Sequence, residues 1–261
     1  ENDPVLEIIS NMPPAMKVGQ LTLVSFPGTS VGDESEIAEL IRDYAIGGVI
    51  LRPQNGNFDA SPIASSAFIS MTNQLQTLTW KSTRSVFLPP VSDPSFLYAS
   101  SFLPLLVVTD FWSEGFPVTT FISGTYMLPY PMAVGATWDV DLAESCGQVL
   151  GQDMASLGIN LLLGPNLDVL YTPWPGEAFD PGTSVFGGSP FWVGKLARAY
   201  VQGLQEGSEG RLLVAPIHFP GLGGADRVLA EEVPTVQRGL EQLKRIDLVP
   251  FFSVVGGQPG D

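Results

Sequence analysis

The fold is most clearly indicated by the residues Val214-Ala215-Pro216-Ile217-His218-Phe219-Pro220-Gly221-Leu222-Gly223-Gly224-Ala225-Asp226-Arg227. This stretch opens within an apolar run, Leu212 to Ala215, which is bounded by breakers and predicts a buried strand. The only histidine of the chain, His218, follows that strand and precedes a glycine-rich loop. α/β folds place their chemistry at such strand ends. The alternative is a histidine with satisfied hydrogen bonds above a simple turn.

The length and composition fit one large folded domain or two small ones, and the charge is compatible with a neutral ligand. The chain has 261 residues, 44% of them hydrophobic and 15% charged, and a single α/β barrel needs about 250 residues. Acidic residues number 27 against 12 lysines and arginines, which gives a formal net charge of −15. Because that charge repels phosphate backbones and anionic membranes, it argues against a nucleic-acid partner. A sugar is compatible with it.

The sequence predicts no metal or other cofactor and no membrane-spanning segment. One cysteine, Cys146, and one histidine cannot form a disulfide or the usual His/Cys zinc site within the chain. No apolar run approaches the ~20 residues that a transmembrane helix needs. The acidity and low lysine content favour a secreted or cell-surface protein, with a cytoplasmic location as the alternative.

Strands and helices alternate along the chain. Strands are predicted at 21–26, 47–51, 103–109, 159–164 and 212–215, and helices at 35–44, 63–78, 139–157, 190–205 and 235–255, the last divided by Pro250. We interpret 1–261 as a single domain in which a Ser/Pro-rich insertion occupies 82–101. The βα order predicts parallel strands with right-handed crossovers, in either an open doubly wound sheet or a barrel.

Two features favour the barrel. No Gly-x-Gly-x-x-Gly opens a helix after the first strand, which weakens the dinucleotide-binding alternative. The long loops after strands three, four and five hold Asp110, Asp168 and His218, so all three would lie on one rim. Five βα units do not close an eight-stranded barrel. The predicted fold is therefore α/β, a TIM-type (β/α) barrel that is incomplete in this chain.

A series of short motifs, in order along the chain, resembles one family. The motifs are Lys17-Val18-Gly19-Gln20-Leu21, Gly47-Gly48-Val49-Ile50-Leu51, Leu103 to Asp110, Gly135-Ala136-Thr137-Trp138-Asp139, Leu157-Gly158-Ile159-Asn160, Gly164-Pro165-Asn166-Leu167-Asp168-Val169, Phe186-Gly187 and His218-Phe219-Pro220-Gly221. Together they resemble the N-terminal barrel domain of glycoside hydrolase family 3, which includes β-glucosidases and β-N-acetylglucosaminidases. Each motif alone is weak, whereas the ordered set is specific.

The resemblance implies roles for three side chains. Asp110 matches an aspartate that holds sugar hydroxyls, a task that suits an acceptor-only carboxylate. His218 matches the sugar-binding histidine of K-H-F-P-G. Asp168 matches an aspartate that supports the floor of the site. A turn or helix-cap role is the alternative for Asp110, and a purely structural role is the alternative for Asp168.

Four positions depart from the family pattern. Ile217 replaces the lysine before the histidine, and Ser184 replaces an arginine, so two cations that bind sugar oxygens are missing. The Asp–His pair that supplies the general acid/base in the acetylglucosaminidase branch falls on Val228 and Ala230. Asp226, Glu231 and Glu232 lie nearby as weak candidates for a catalytic role, and a solvated charged face is the favoured alternative for them.

The resemblance implies a retaining glycoside hydrolase acting on β-glucosides or β-N-acetylglucosaminides. Its nucleophile would follow a strand later than the one before His218, so we expect it beyond residue 261, where a further domain is also expected. The alternative is a catalytically degenerate barrel that binds glycan or a protein partner. Aromatic residues of the candidate rim offer faces on which sugars stack, or else pack the loops; they are Phe111, Trp112, Phe116, Trp174, Phe179 and Trp192.

Overall fold

The structure, a computed structural model, describes residues 4–58, 64–87, 103–110, 118–119, 122, 124–171, 183–226 and 233–256. The chain divides into two compact units. The first comprises Glu1–Thr109 and Leu157–Ile159, and the second comprises Asp110–Ser156 and Asn160–Asp261.

The first unit contains parallel strands and the helices that cover them. Its strands are β1 (Leu23–Ser25), β2 (Gly48–Ile50) and β3 (Leu106–Asp110), whose last residue belongs to the second unit. β2 pairs in parallel with both β1 and β3, so that Leu23, Gly48 and Leu106 share one register position. The helices are α1 (Pro4–Asn11), α2 (Pro14–Gly19), α3 (Glu36–Tyr44) and α4 (Ala64–Phe87), with a 3-10 turn at Pro53–Asn55.

Local sequence explains the start and the buried face of α3. The Ser35 hydroxyl accepts a hydrogen bond from the Ala38 N–H at 3.3 Å, which satisfies one of the unpaired donors of the first turn. Ile37 and Ile41, four residues apart on one face, are each 2% exposed. They belong to the core of the first unit together with Val49, Leu51, Phe68, Leu75 and Val107.

Among its described residues, the second unit carries two further parallel strands, a small hairpin and five helices. Its elements are β4 (Val118–Thr119), β5 (Leu128–Pro129), α5 (Pro131–Thr137), α6 (Val140–Ser156), β6 (Leu161–Asn166), α7 (Pro190–Gly207), β7 (Leu213–Ile217), α8 (Leu240–Arg245) and α9 (Val249–Val255). β4 and β5 pair antiparallel, whereas β6 and β7 pair in parallel from Leu161↔Leu213 to Asn166↔Ile217.

Helices α6 and α7 approach backbone to backbone because glycines line their contact. A Cβ placed on Gly147 would lie 2.1 Å from the Tyr200 carbonyl oxygen, and one on Gly203 would lie 2.1 Å from that of Glu144. Larger residues at these positions would force the helices apart. Cys146 faces the same interior and is buried, as its helical pattern predicts.

The βα order and the parallel pairing within each unit are confirmed, and the described strands do not close a barrel. Asp139 caps the start of α6, because its Oδ1 accepts from the Leu142 N–H at 3.1 Å. Gly158, at φ +80°, ends the segment that follows α6. The sequence did not predict α2, the β4–β5 hairpin or α5.

Three predicted boundaries or environments are wrong. α4 continues to Phe87, past the helix end predicted at residue 78. The insertion predicted over 82–101 stays a prediction, and its residues 88–101 lie outside the described residues. The helix expected over 235–255, divided by Pro250, is two short helices that begin only at Leu240 and are separated at residues 246–248. Pro250 lies after that break, in the first turn of α9, where a missing N–H costs nothing. β7 is not fully buried: Leu213 is 59% exposed, since in the described part of the chain β7 pairs with β6 alone.

Candidate functional site

The candidate site lies where β6 and β7 end side by side. β6 ends at Asn166 and β7 at Ile217, and these two residues are register partners. The Leu167 N–H donates to the Ile217 carbonyl oxygen at 2.5 Å, which ties the two strand ends together. The peptide bonds Gly164–Pro165, Ile217–His218 and Phe219–Pro220 are cis. Residues immediately after the two strands therefore meet at one edge.

Asp168 and His218 form an ion-pair-type contact at this edge. Asp168 Oδ2 lies 2.8 Å from His218 Nδ1, and the side chains are 2% and 20% exposed respectively. Because a carboxylate only accepts hydrogen bonds, Nδ1 carries the proton of this bond. The pair fixes the plane of the imidazole and turns its second nitrogen, Nε2, to the side of the ring away from Asp168.

Asp168 is itself held by two further hydrogen bonds. Its Oδ1 accepts from the Leu222 N–H at 2.7 Å. Its own N–H donates to Asn166 Oδ1 at 2.9 Å. Both carboxylate oxygens and the backbone donor of this nearly buried residue are thus satisfied, which is the condition for keeping a charge out of water.

The glycines after His218 let the loop pass close to neighbouring backbone. A Cβ on Gly223 would lie 1.9 Å from the Val169 carbonyl oxygen, a distance that no side chain tolerates. The Gly223 carbonyl in turn accepts from the Tyr171 N–H at 2.9 Å. Gly221 has φ +131°, in the region that side chains rarely adopt. The close approach places the Leu222 N–H against Asp168.

A small cavity borders the ends of β6 and β7. Its lining is largely apolar and consists of Pro131, Leu150, Leu162, Leu163, Gly164, Pro165, Asn166, Ser184, Tyr200 and Ile217. Burial raises the pKa of Tyr200 far above its ordinary value, so the phenol stays neutral. The lining contains the two positions, Ser184 and Ile217, at which the resemblance leads one to expect cations.

Ser184 is tied into the site by a neutral hydrogen bond. Asn166 Nδ2 donates to Ser184 Oγ at 3.2 Å, while Asn166 Oδ1 accepts from the Asp168 N–H at 2.9 Å. Asn166 therefore bridges the cavity wall and the Asp168–His218 pair. The sequence analysis missed this role. Its position two residues before Asp168, at the end of an apolar run, is the signal that would have suggested it.

The other predicted site residues have different surroundings. Asp110 is the half-buried last residue of β3, at the carboxyl end of that strand, as expected. Asp226 is exposed; its Oδ1 accepts from the Thr235 N–H at 2.9 Å, and its own N–H donates to the Thr235 carbonyl at 3.0 Å. These bonds tie Asp226 to Thr235, a structural role for the Asp226 carboxylate.

Several predicted residues lie outside the described residues. They are Glu231, Glu232, Val228, Ala230, Phe111, Trp112, Phe116, Trp174 and Phe179. Trp192 is described, and its ring packs edge-on against Trp138 at 5.0 Å and against Phe191 at 5.6 Å between centroids. These contacts fit the packing alternative for Trp192.

Neither a metal cluster nor a spanning helix occurs in the described ranges. No three or more His, Cys, Asp or Glu side chains there are grouped so as to hold a metal ion. Among the described helices, none combines the length and the apolarity that crossing a bilayer requires.

Comparison with known proteins gives a consistent result. A family profile described as the glycosyl hydrolase family 3 N-terminal domain matches residues 15–261. A β-hexosaminidase from Chromobacterium violaceum is 34% identical over 153 residues, which cover 56% of this chain and 40% of that protein. β-Hexosaminidase A from Pseudoalteromonas piscicida is 28% identical over 236 residues, which cover 86% of this chain and 33% of that protein.

The fold agrees with a solved structure of the same kind. A glycoside hydrolase family 3 β-N-acetylglucosaminidase from Paenibacillus sp. str. FPU-7 superposes with a TM-score of 0.75 at 27% identity, covering 94% of this chain and 40% of that one. The chain thus spans about two fifths or less of the length of these relatives.

Proposed function

This chain belongs to glycosyl hydrolase family 3 through its N-terminal domain, and from that premise we propose that the whole protein hydrolyses the O-glycosyl bonds of β-N-acetylhexosaminides. The observation that carries the proposal is the Asp168–His218 pair, 2.8 Å apart at the adjoining ends of two parallel strands. The carboxyl ends of strands are where barrel enzymes bind their substrates. A β-N-acetylhexosaminide is preferred over a β-glucoside because the relatives reported above carry the former activity in their names.

In the proposed site, three side chains bind the sugar or support its binding. His218 Nε2 contacts a sugar hydroxyl, and Asp168 holds the imidazole in the orientation that this contact needs. Asp110 accepts hydrogen bonds from further hydroxyls. The Asp110 carboxylate offers two acceptor oxygens, and the His218 imidazole offers a ring nitrogen of fixed orientation. Together they can recognise a polyol that carries no net charge. That suits a protein whose formal net charge is −15.

Two residues near the ends of β6 and β7 support neutral recognition of the substrate. Ser184 and Ile217 supply a hydroxyl and an aliphatic surface in place of two cations. The sugar is therefore bound by hydroxyl and amide groups and by apolar contact, with lower affinity than two charge-assisted bonds would give. The N-acetyl methyl group and the apolar face of a sugar ring are the parts of the substrate that suit an apolar wall.

The chemical step follows the retaining scheme. One carboxylate attacks the anomeric carbon while an acid protonates the leaving oxygen, and water then releases the sugar with the configuration retained. We assign the nucleophile to a strand beyond residue 261. Asp226, Glu231 and Glu232 stay weak candidates for the acid, and the bonds from Asp226 to Thr235 favour a structural role for that residue. A carbohydrate partner, a further domain and a secreted or surface location complete the proposal.

The test is turnover by the full-length protein. We expect release of nitrophenol from p-nitrophenyl N-acetyl-β-glucosaminide to exceed release from the β-glucoside, with retention of configuration seen by proton NMR. Asp110→Ala should abolish turnover, whereas Asp141→Ala, an exposed carboxylate of α6, should leave it unchanged. Absence of turnover on both substrates would contradict the proposal. If glycan binding persisted in that case, the degenerate-barrel alternative would replace it.

A further inference from the structure

Behind the glycine-rich loop lies a buried ion pair that neither the predicted roles nor the proposed mechanism uses. Arg238 Nη1 contacts Asp247 Oδ1 at 2.5 Å and Oδ2 at 2.6 Å. The two side chains are 10% and 0% exposed. We propose that Arg238 and Asp247 are positioning residues that hold the Gly221–Gly224 segment and, through it, the His218 imidazole. The proposal rests on the function proposed above.

The pair underlies both ends of the Gly221–Gly224 segment. A Cβ on Gly221 would lie 2.8 Å from the Asp247 Cβ, and a Cβ on Gly224 would lie 2.5 Å from Arg238 Nη2. Between these two contacts is Leu222, whose N–H donates to Asp168 Oδ1 at 2.7 Å. A displacement of the ion pair would move this donor, and Asp168 is the residue that orients His218.

A second connection runs through Tyr171. The guanidinium carbon of Arg238 lies 4.9 Å from the centroid of the Tyr171 ring, in a cation–π contact. The Tyr171 N–H donates to the Gly223 carbonyl at 2.9 Å. Arg238 thereby touches both the segment that follows Asp168 and the loop that follows His218. A planar guanidinium can pair with a carboxylate through two N–H groups and lie flat on a ring, a geometry that an ammonium group lacks.

The chemistry of the pair points to positioning more than to stability. Burying two charges costs solvation that their attraction only partly returns, and well-packed apolar residues often serve stability equally well. Arg238 Nη2 is also buried without a hydrogen-bond partner among the described residues, so the guanidinium is not saturated. Retaining a costly, incompletely bonded cation beneath a loop is understandable if the geometry of the loop matters.

The test compares variants of the full-length protein. Arg238→Met combined with Asp247→Leu removes both charges together, so the melting temperature should stay within a few degrees of wild type. We expect kcat/KM for p-nitrophenyl N-acetyl-β-glucosaminide to fall at least about tenfold. In Arg238→Lys, kcat/KM should fall because the bidentate and stacking geometry is lost. The fall should be smaller than in the double variant because the positive charge is kept. Arg211→Met, which alters an exposed arginine of the same unit, is the matched control and should change nothing.

A second readout reports on His218 itself. The low-field Nδ1–H signal, identified by its loss in His218→Gln, should broaden or disappear in the double variant while the fold persists. Unchanged kcat/KM together with an unchanged Nδ1–H signal would overturn the proposal. If the wild-type protein lacked glycosidase activity, the proposed function would fail, yet the Nδ1–H signal would still decide whether the pair positions His218. If the double variant did not fold, Arg238→Lys would supply the same two readouts.

Discussion

Asp168 Oδ2 and His218 Nδ1 lie 2.8 Å apart although 50 positions separate the residues in the sequence. The parallel pairing of β6 with β7 makes this contact, because it brings the ends of the two strands to one edge. The neighbouring Leu222 N–H then occupies the other carboxylate oxygen. One buried carboxylate thus organises a side chain and a loop.

The first prediction concerns the charge of Asp168. Asp168→Asn keeps the size of the side chain but leaves one acceptor oxygen for two donors, the His218 Nδ1–H and the Leu222 N–H. One hydrogen bond is therefore lost, and the other becomes neutral and weaker by about 1 kcal/mol. We expect kcat/KM of the full-length protein to fall between about tenfold and a hundredfold, with a lower melting temperature. Asp141→Asn, on the exposed face of α6, serves as control. Wild-type turnover in Asp168→Asn would contradict the role given to this residue.

The second prediction tests the close approach of the loop. Gly223→Ala would place a Cβ 1.9 Å from the Val169 carbonyl, so the backbone must move, at a cost of about 1–3 kcal/mol of unfolding free energy. Gly239→Ala is the matched control, since nothing lies within 4 Å of its Cβ. Urea denaturation of both variants checks the difference. Equal midpoints for the two would show that the loop does not depend on Gly223.

The third prediction is a pH dependence of stability. Burial raises the pKa of Asp153, an effect that the hydrogen bond from the Tyr126 N–H only partly opposes. A raised folded-state pKa favours the folded protein below the unfolded value of about 3.9, and this contribution is lost as the pH rises through the folded value. Asp153→Asn should therefore raise the melting temperature at pH 7, and its advantage should vanish near pH 3.

The stability contribution of Glu206 has the opposite pH dependence to that of Asp153. Hydrogen bonds from Gln202 and Gln148 lower the pKa of this exposed carboxyl, so its contribution to stability is present above its unfolded pKa and is lost as the pH falls through the folded value. Glu206→Gln should lower the melting temperature slightly at pH 7 and not at pH 3. A melting temperature of Asp153→Asn that lay below wild type at pH 7 would show that burial of Asp153 carries no electrostatic cost.

The fourth prediction uses the thiol of Cys146. This side chain is buried, so a reagent reaches it poorly. Burial also raises the pKa of the thiol, so little of the reactive thiolate is present. Alkylation of Cys146 by iodoacetamide at pH 8 should be slow and should follow unfolding in urea. A cysteine introduced at the exposed neighbour, by Ser145→Cys in a Cys146→Ser background, should react rapidly. Fast labelling of Cys146 in the native protein would contradict its place between α6 and the core.

Local signals predicted much of the fold. The apolar spacing after Ser35 predicted α3 almost to the residue, because burial of one helix face acts over a few positions. The end of α4 was missed because the Ser/Thr-rich sequence after Leu78 has low helix propensity, which the structure overrides. The prediction that β7 is buried was wrong because the exposure of a strand depends on how many strands flank it, which no local sequence pattern encodes.

The sequence indicated residues of the candidate site, but not most of the hydrogen bonds between them. The resemblance singled out Asp168 and His218, and the structure joins them. It could not indicate that Leu222 would contribute its backbone N–H, since any residue has one. The Arg238–Asp247 pair joins the residue before an N-cap to one between two helices, so its partners are fixed only by tertiary packing.

A double-mutant cycle on Asp168 and His218 in the full-length protein tests whether Asp168 orients His218 for sugar binding. The variants are Asp168→Asn, His218→Gln and the two combined, with kcat/KM for p-nitrophenyl N-acetyl-β-glucosaminide as the readout. If Asp168 acts by orienting His218 in the sugar site, each single variant loses at least about tenfold and the double variant loses little more, a coupling of about 1–3 kcal/mol. Losses that multiply, or single variants that turn over substrate as wild type does, would contradict it.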